Sequence, residues 1–305
     1  MTSEKKRPLA EANRLTKFLE LGSVESDRFP VNVKKIALEL TPSFNKDPIT
    51  AVESDSMGSI EGALVKNENL AEWAIFYNSD IAHQGRRNFT LAHELGHYMV
   101  HRHERDTGRF DCSEKDILGN STGTNDIETE ANAFAATLLM PNQDFRSQVN
   151  GQKFSFDLIS HCADRYDVSS TAAILKWLDI VDTPAIALLS EDGMMHWSKS
   201  NNKAFRSGKY FATRKNIIPV PDQSLAATET DSEKARKGVR HDPGIWFPEE
   251  SVVEYTFHSV EHAKTLTVLT LGTSGGYTLP KDFDEDSELL TDTYTNFIDN
   301  GQEPY

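Results

Sequence analysis

The chain has 305 residues, 38% of them hydrophobic, enough for one large or two medium cores. Its net charge of −15 excludes a generally basic coat for nucleic acid and leaves room only for a local basic patch. No apolar run of about 18 residues is present to cross a membrane. Met1 to Pro8 leads into no apolar signal core, and two cysteines build no disulfide framework, so a reduced, cytoplasmic protein is expected.

Residues 9–22 read as an amphipathic helix, and 33–40 as a second one after the Phe29-Pro30 turn. Strand-like runs follow in 48–80, notably 62–65 and 73–77, and predict a small sheet flanking a cleft. The edge of such a sheet can hold an extended peptide by main-chain pairing. The stretch Arg87 to His97 then carries His93-Glu94-x-x-His97 in a helical pattern that starts at Asn88 or Thr90 and runs to about His101, with Leu91, Leu95 and Met99 four apart. One helical turn stacks His93 and His97 on the same face, where both can ligate one zinc, and Glu94 reaches the same space as the candidate general base. A zinc site built for hydrolysis needs one more protein ligand and a position left for water.

Two residues compete for that third ligand. His103 lies ten after His93, the spacing of a motif that turns the chain on a glycine, but Val100 stands there and a β-branched residue resists positive φ. Glu128 opens the alanine-rich pattern Glu128-Thr129-Glu130-Ala131-Asn132-Ala133-Phe134, which ends at Pro141 and predicts a buried helix. Asn132, four residues on, shares the face of Glu128 and can steady a ligand, whereas Glu130 points about 200° away and reads as solvated or paired. Between the two helices, 101–126 reads as a long loop, and its Cys112 is a thiolate candidate for an inhibitory fourth zinc position. Tyr98, His101 and His103 are alternative oxyanion stabilisers.

The two segments together, Phe89-Thr90-Leu91-Ala92-His93-Glu94-Leu95-Gly96-His97 and Glu128-x-x-Ala131-Asn132-x-Phe134-Ala135-x-x-Leu138-Leu139-Met140-Pro141, resemble the ImmA/IrrE family of zinc metallopeptidases, as do Phe29 to Ala37 and Tyr77-Asn78. The resemblance covers roughly residues 15–180. It implies a gluzincin-like site with His93, His97 and Glu128 on zinc and Glu94 catalytic. It also implies cleavage of a helix-turn-helix transcriptional repressor in response to DNA damage or foreign DNA, and in some members control of an anti-phage defence operon.

Beyond Pro141, residues 154–166 and 169–180 form two helical patterns, read as a packing pair closing the peptidase domain because the second has almost no basic residues to meet DNA phosphates. A boundary falls near Val181, giving a zinc metallopeptidase domain over 1–181 and a smaller sensor-like domain over 182–305. In the latter, 185–189 and 194–197 flank an Asp192-Gly193 turn, and 251–258 and 265–271 alternate as strands. The expected fold class is α+β in both parts.

Lys199, Lys203, Arg206, Lys209, Arg214 and Lys215 occur without an intervening acid and are interleaved with Phe205, Tyr210 and Phe211; Lys234, Arg236, Lys237, Arg240 and Trp246 follow. Cations that track phosphates beside rings that stack bases suit single-stranded DNA, read here as a possible activator, and a solvated loop is the alternative. After Lys281 the tail carries eight acids and no base. The sequence thus points to a regulated zinc endopeptidase. The competing readings are a regulator acting by contact with a structural zinc and a small-molecule zinc hydrolase.

Overall fold

The computed structural model describes residues 7–22, 28–67, 69, 71–103, 108–113, 126–213, 216–228, 232–259 and 263–272. The chain divides into two compact units, Met1–Gln148 with Cys162–Ala172, and Val149–His161 with Ala173–Tyr305. The division is interleaved, so 149–161 and 173–181 group with the C-terminal residues rather than with the motif-bearing ones. Both units mix helices and strands, as the patterning predicts.

In the first unit, α1 (Pro8–Gly22) is followed by α2 (Val33–Lys35), which runs through a π turn (Ile36–Leu40) into α3 (Thr41–Phe44). A four-stranded sheet is built from β1 (Ile49–Asp55), β2 (Ile60–Asn67), β3 (Glu72–Asn78) and β4 (Arg109–Ser113) in the order β1-β3-β2-β4; β1 and β3 are parallel and the other pairs antiparallel. Helix α4 (Gln84–Gly96) packs on β2 and β3 and continues as a π turn, His97–His101. Its apolar repeat is realised, with Leu91, Leu95 and Met99 all buried.

Helix α4 starts earlier than its capping pattern suggests. Asn88 does not cap it, because it lies inside the first turns of a helix that begins at Gln84; its amide donates to Asp167 Oδ2 at 2.6 Å, a contact made across 79 residues of chain. Gln84 instead braces the first turn through Asn88 and Arg87.

Helix α5 (Asp126–Leu139) packs directly on α4. The approach is possible because Gly96 faces Ala131: a Cβ on Gly96 would sit 3.2 Å from Ala131 Cα and 3.1 Å from the Phe134 ring. Small residues at the crossing let two backbones close up, which is what carries Glu128 to the histidines of α4.

The expected loop over 101–126 contains a strand. Within it, Phe110 and Cys112 are buried while Arg109 and Asp111 are exposed, the period-two alternation of a strand with one covered face. This strand, β4, pairs with β2 in a register that sets Cys112 opposite Gly62. Five residues among Asp, Gly and Ser gave too short an alternation to stand out.

The second unit is organised on a six-stranded antiparallel sheet of β5 (Ala185–Glu191), β6 (Met194–Ser200), β7 (Ile218–Pro219), β8 (Val239–His241), β9 (Val252–Ser259) and β10 (Lys264–Leu271), ordered β7-β6-β5-β10-β9-β8. Asp192 and Gly193 both take positive φ, 49° and 72°, and close the β5–β6 hairpin as their dipeptide predicts. Ile186, Leu188, Trp246, Phe247, Val252 and Leu269 share one core cluster. Within this unit Phe154 meets Trp177 at 4.8 Å and Tyr255 at 4.9 Å between ring centres. The buried Trp177 belongs to the helix over Ser170–Ile180, which supports packing rather than DNA reading for that element. Glu254, fully buried, accepts from the Leu225 and Ala226 amides, Trp246 Nε1 and the Thr256 hydroxyl.

Candidate metal centre

Four side chains converge between α4, α5 and β4. His93 Nε2 lies 3.0 Å from His97 Nε2, 3.1 Å from Glu128 Oε2 and 3.3 Å from Cys112 Sγ. The remaining separations are 3.2 Å from His97 Nε2 to Glu128 Oε2, 3.4 Å from Cys112 Sγ to His97 Nε2 and 3.7 Å from Cys112 Sγ to Glu128 Oε2. Around one ion bound at about 2.0–2.1 Å by N or O and about 2.3 Å by S, the edges of a tetrahedron measure about 3.3–3.7 Å. The three edges that involve sulfur, 3.3–3.7 Å, fall in that range, and the three among nitrogen and oxygen, 3.0–3.2 Å, are slightly shorter. All four residues are buried, and together they could hold a metal ion.

Each donor is set by a separate local reason. His93 and His97 occupy successive turns of α4. The Nδ1 of His93 faces Asn132 Oδ1 at 2.7 Å, and its Nε2 faces the other donors. The Gly96–Ala131 crossing brings in Glu128, and the β2–β4 register brings in Cys112. The His97 ring stacks on Phe110 of the same strand, with centres 5.0 Å apart.

Burial pushes the His97 imidazole down to about 4, keeping it in the neutral form that ligates metals. Burial opposes ionisation of Glu128, yet the two imidazoles hold its carboxyl far below the usual range. For His93, burial works against a charge, but Glu128 and Glu94 hold its pKa above the ordinary value.

Glu94 lies beside this set and is fully buried; its carboxylate makes no well-formed hydrogen bond among the described residues, and only the Cys112 thiol favours its charged form by contact. Burial pushes its pKa up to about 8. The carboxylate rests against Gly62 of β2, a residue that belongs to no motif and so was not selected by pattern.

The remaining candidates separate from the centre. The Tyr98 hydroxyl donates to the Asp47 carbonyl at 3.0 Å, and His103 is exposed in the turn after the helix. His101 stands behind His97 and contacts Glu130, the paired state that the helical angle of Glu130 allowed.

Three lysines of the basic cluster in the second unit lie beside acids. Lys199 is buried 3.7 Å from Asp179, Lys203 is 2.8 Å from Asp182, and Lys209 is 3.5 Å from Glu250. Phe211 packs on Trp246 and Phe247 inside the unit. Arg206 is exposed, while Arg214, Lys215 and the acidic tail lie outside the described residues.

This combination of a His-Glu-x-x-His helix, a crossing helix with a carboxylate and a flanking sheet defines a metallopeptidase-like domain. Residues 48–177 match the model of the Peptidase M78 family, the IrrE N-terminal-like domain, and this part of the chain belongs to that family. No curated protein matches the chain. Among solved structures, a Mycobacterium tuberculosis transcriptional regulator is similar in fold, with 12% identity and a TM-score of 0.50 over 86% of this chain and 76% of that one.

Proposed function

We propose that the protein is a zinc-dependent endopeptidase that regulates transcription by cleaving a helix-turn-helix repressor. The observation that carries this reading is the fully buried carboxylate of Glu94, met only by the Cys112 thiol, beside a converging set of four donors. A structural metal site has no use for such a carboxylate, whereas a hydrolytic one needs a base at that place.

His93, His97 and Glu128 would hold the zinc, and the nitrogen, oxygen and sulfur donor set fits that ion. Bound there, zinc supplies Lewis acidity toward a peptide carbonyl and lowers the pKa of water. Glu94 takes the proton of the attacking water on its carboxylate and returns it to the leaving amine. Asn132 holds the His93 ring in register. The edge strand β4 stands beside the donors, where an extended peptide would pair by main chain.

Cys112 occupies the position that hydrolysis needs open. It closes the resting site, and removal of its thiol from the donor set opens it. A four-donor site is also what a contact-only regulator with structural zinc would have, and the buried Glu94 weighs against that alternative.

The test is the intact mass of a co-expressed helix-turn-helix repressor with the wild type or Glu94→Gln, each with and without single-stranded DNA. Cutting by the wild type alone supports the protease. A repressor bound by both and left whole supports control by contact. Dependence on DNA would assign the trigger, for which the paired lysines of the second unit give little support.

A further inference from the structure

We propose that His101 and Glu130 are positioning residues for His97, forming a carboxylate–imidazole–imidazole chain that fixes its tautomer and strengthens its Nε2 as a metal donor. The inference rests on the reading that His97 ligates a metal through Nε2.

Nδ1 of His97 lies 3.2 Å from Nδ1 of His101, and Nε2 of His101 lies 2.9 Å from Glu130 Oε2. Two imidazole nitrogens at that distance share one hydrogen, so one donates and the other accepts. If His97 keeps a lone pair on Nε2 for the metal, its hydrogen sits on Nδ1 and is donated to His101 Nδ1. His101 then carries its own hydrogen on Nε2 and donates it to the Glu130 carboxylate. With neutral rings and ionised Glu130, this is the assignment that satisfies both contacts while leaving His97 Nε2 able to ligate. Hydrogen bonds in such a chain polarise one another, and the terminal carboxylate draws the hydrogens away from the metal side.

The fold supports the chain at each step. The π turn His97–His101 places the two rings 5.3 Å apart by their centres. His101 is fully buried, which makes an unmet ring nitrogen costly. Glu130 comes from α5, the helix that supplies Glu128, and its side chain keeps 21% exposure at the outer end. The two histidine ligands are therefore steadied differently, His93 by a neutral amide and His97 by an imidazole backed with a charge.

The test measures zinc affinity by chelator competition, and the visible spectrum after cobalt substitution, in the full chain and in His101→Leu, His101→Asn, Glu130→Gln and His97→Gln. His101→Leu should weaken zinc binding by about 10–100-fold and shift the cobalt spectrum. His101→Asn offers its carbonyl oxygen near the lost Nδ1 and should recover most of the affinity. Glu130→Gln keeps an acceptor without the charge and should give an intermediate loss; being partly exposed, it carries the test if His101→Leu does not fold. Unchanged affinity and spectrum in both His101→Leu and Glu130→Gln would overturn the proposal, as would His101→Asn binding zinc as poorly as His101→Leu in a folded chain. His97→Gln separates the two readings: if it too binds zinc unchanged, the ligand assignment itself fails.

Discussion

Gly62 and Glu94 are in contact across the β2–α4 packing: a methyl group in place of the Gly62 hydrogen would lie 2.6 Å from Glu94 Oε1 and 2.7 Å from Thr90 Cγ2. Under about 3 Å something must move, and the carboxylate is the mobile partner. Glycine here serves to leave room for the base rather than to free the backbone. Gly62→Ala should therefore keep metal affinity, because none of the four donors is displaced, while cleavage falls about 100-fold, the cost of misplacing a catalytic group by about an ångström. Repressor cleavage at the wild-type rate by a folded, metal-loaded Gly62→Ala would remove the argument that this contact sets the position of Glu94.

Cys112 is held in the donor set by backbone pairing of β4 to β2, not by its own helix or by a covalent bond. A ligand on a short edge strand can be withdrawn more readily than one on α4. With cobalt in the site, the wild type should show a thiolate charge-transfer band that Cys112→Ser lacks. Basal cleavage should rise about tenfold or more in the variant as the fourth position opens. A wild-type spectrum without that band would show that sulfur does not ligate.

The two histidines, Glu94, Glu128 and Asn132 were legible because a helical period carries its own geometry: residues four apart share a face wherever the helix lies. Cys112 was legible only as a thiol near the motif, since the strand that delivers it is five residues long. The pairing of Asn88 with Asp167, and the contacts of Gly62 and Gly96, depend on segments distant in sequence and leave no local period. For the basic run the complementary limit applies. Counting cations along the chain cannot show that Lys199 is buried or that Asp182 and Glu250 fold back onto Lys203 and Lys209.

Stripping the metal should make the stability of the first unit depend on pH with a definite sign. Burial raises Glu94 to about 8 from 4.5, so between those values the folded chain binds a proton that the unfolded chain has released, and stability falls as pH rises. His97, lowered to about 4, acts oppositely, but only below its ordinary 6.5. Above 6.5 the Glu94 effect stands without that opposition, and His93, whose pKa is raised, adds to it. The metal-free protein should lose on the order of 2 kcal/mol between pH 6.5 and 8. Zinc should flatten or reverse the slope, since a cation favours the carboxylate and neutral imidazoles. Denaturant midpoints at the two pH values, with and without zinc, check this; a metal-free stability that rises over the interval would contradict it.

Away from the metal, Asp144 of α6 (Asn142–Val149) is tied to Arg165 and Tyr166, the last two residues of α7 (Phe156–Tyr166), all three in the first unit. Its Oδ1 accepts from Arg165 Nε at 2.9 Å and from the Tyr166 hydroxyl at 2.5 Å, and its Oδ2 from Arg165 Nη2 at 2.9 Å. Burial opposes the charge on Asp144, but Arg165 and Tyr166 outweigh it and hold the carboxyl below its ordinary value of 3.8. A depressed carboxylate contributes stability that is complete above its unfolded pKa and is lost as pH falls through the folded one. Asp144→Asn removes the charge and cannot accept from all three donors, so it should cost about 1–3 kcal/mol at neutral pH. The penalty should shrink as pH falls below about 4, because the wild type then loses its carboxylate as well. Zinc affinity should not change, since none of these groups touches the donors. A penalty that stays constant from pH 7 to 3 would show that the loss is one of packing rather than of charge.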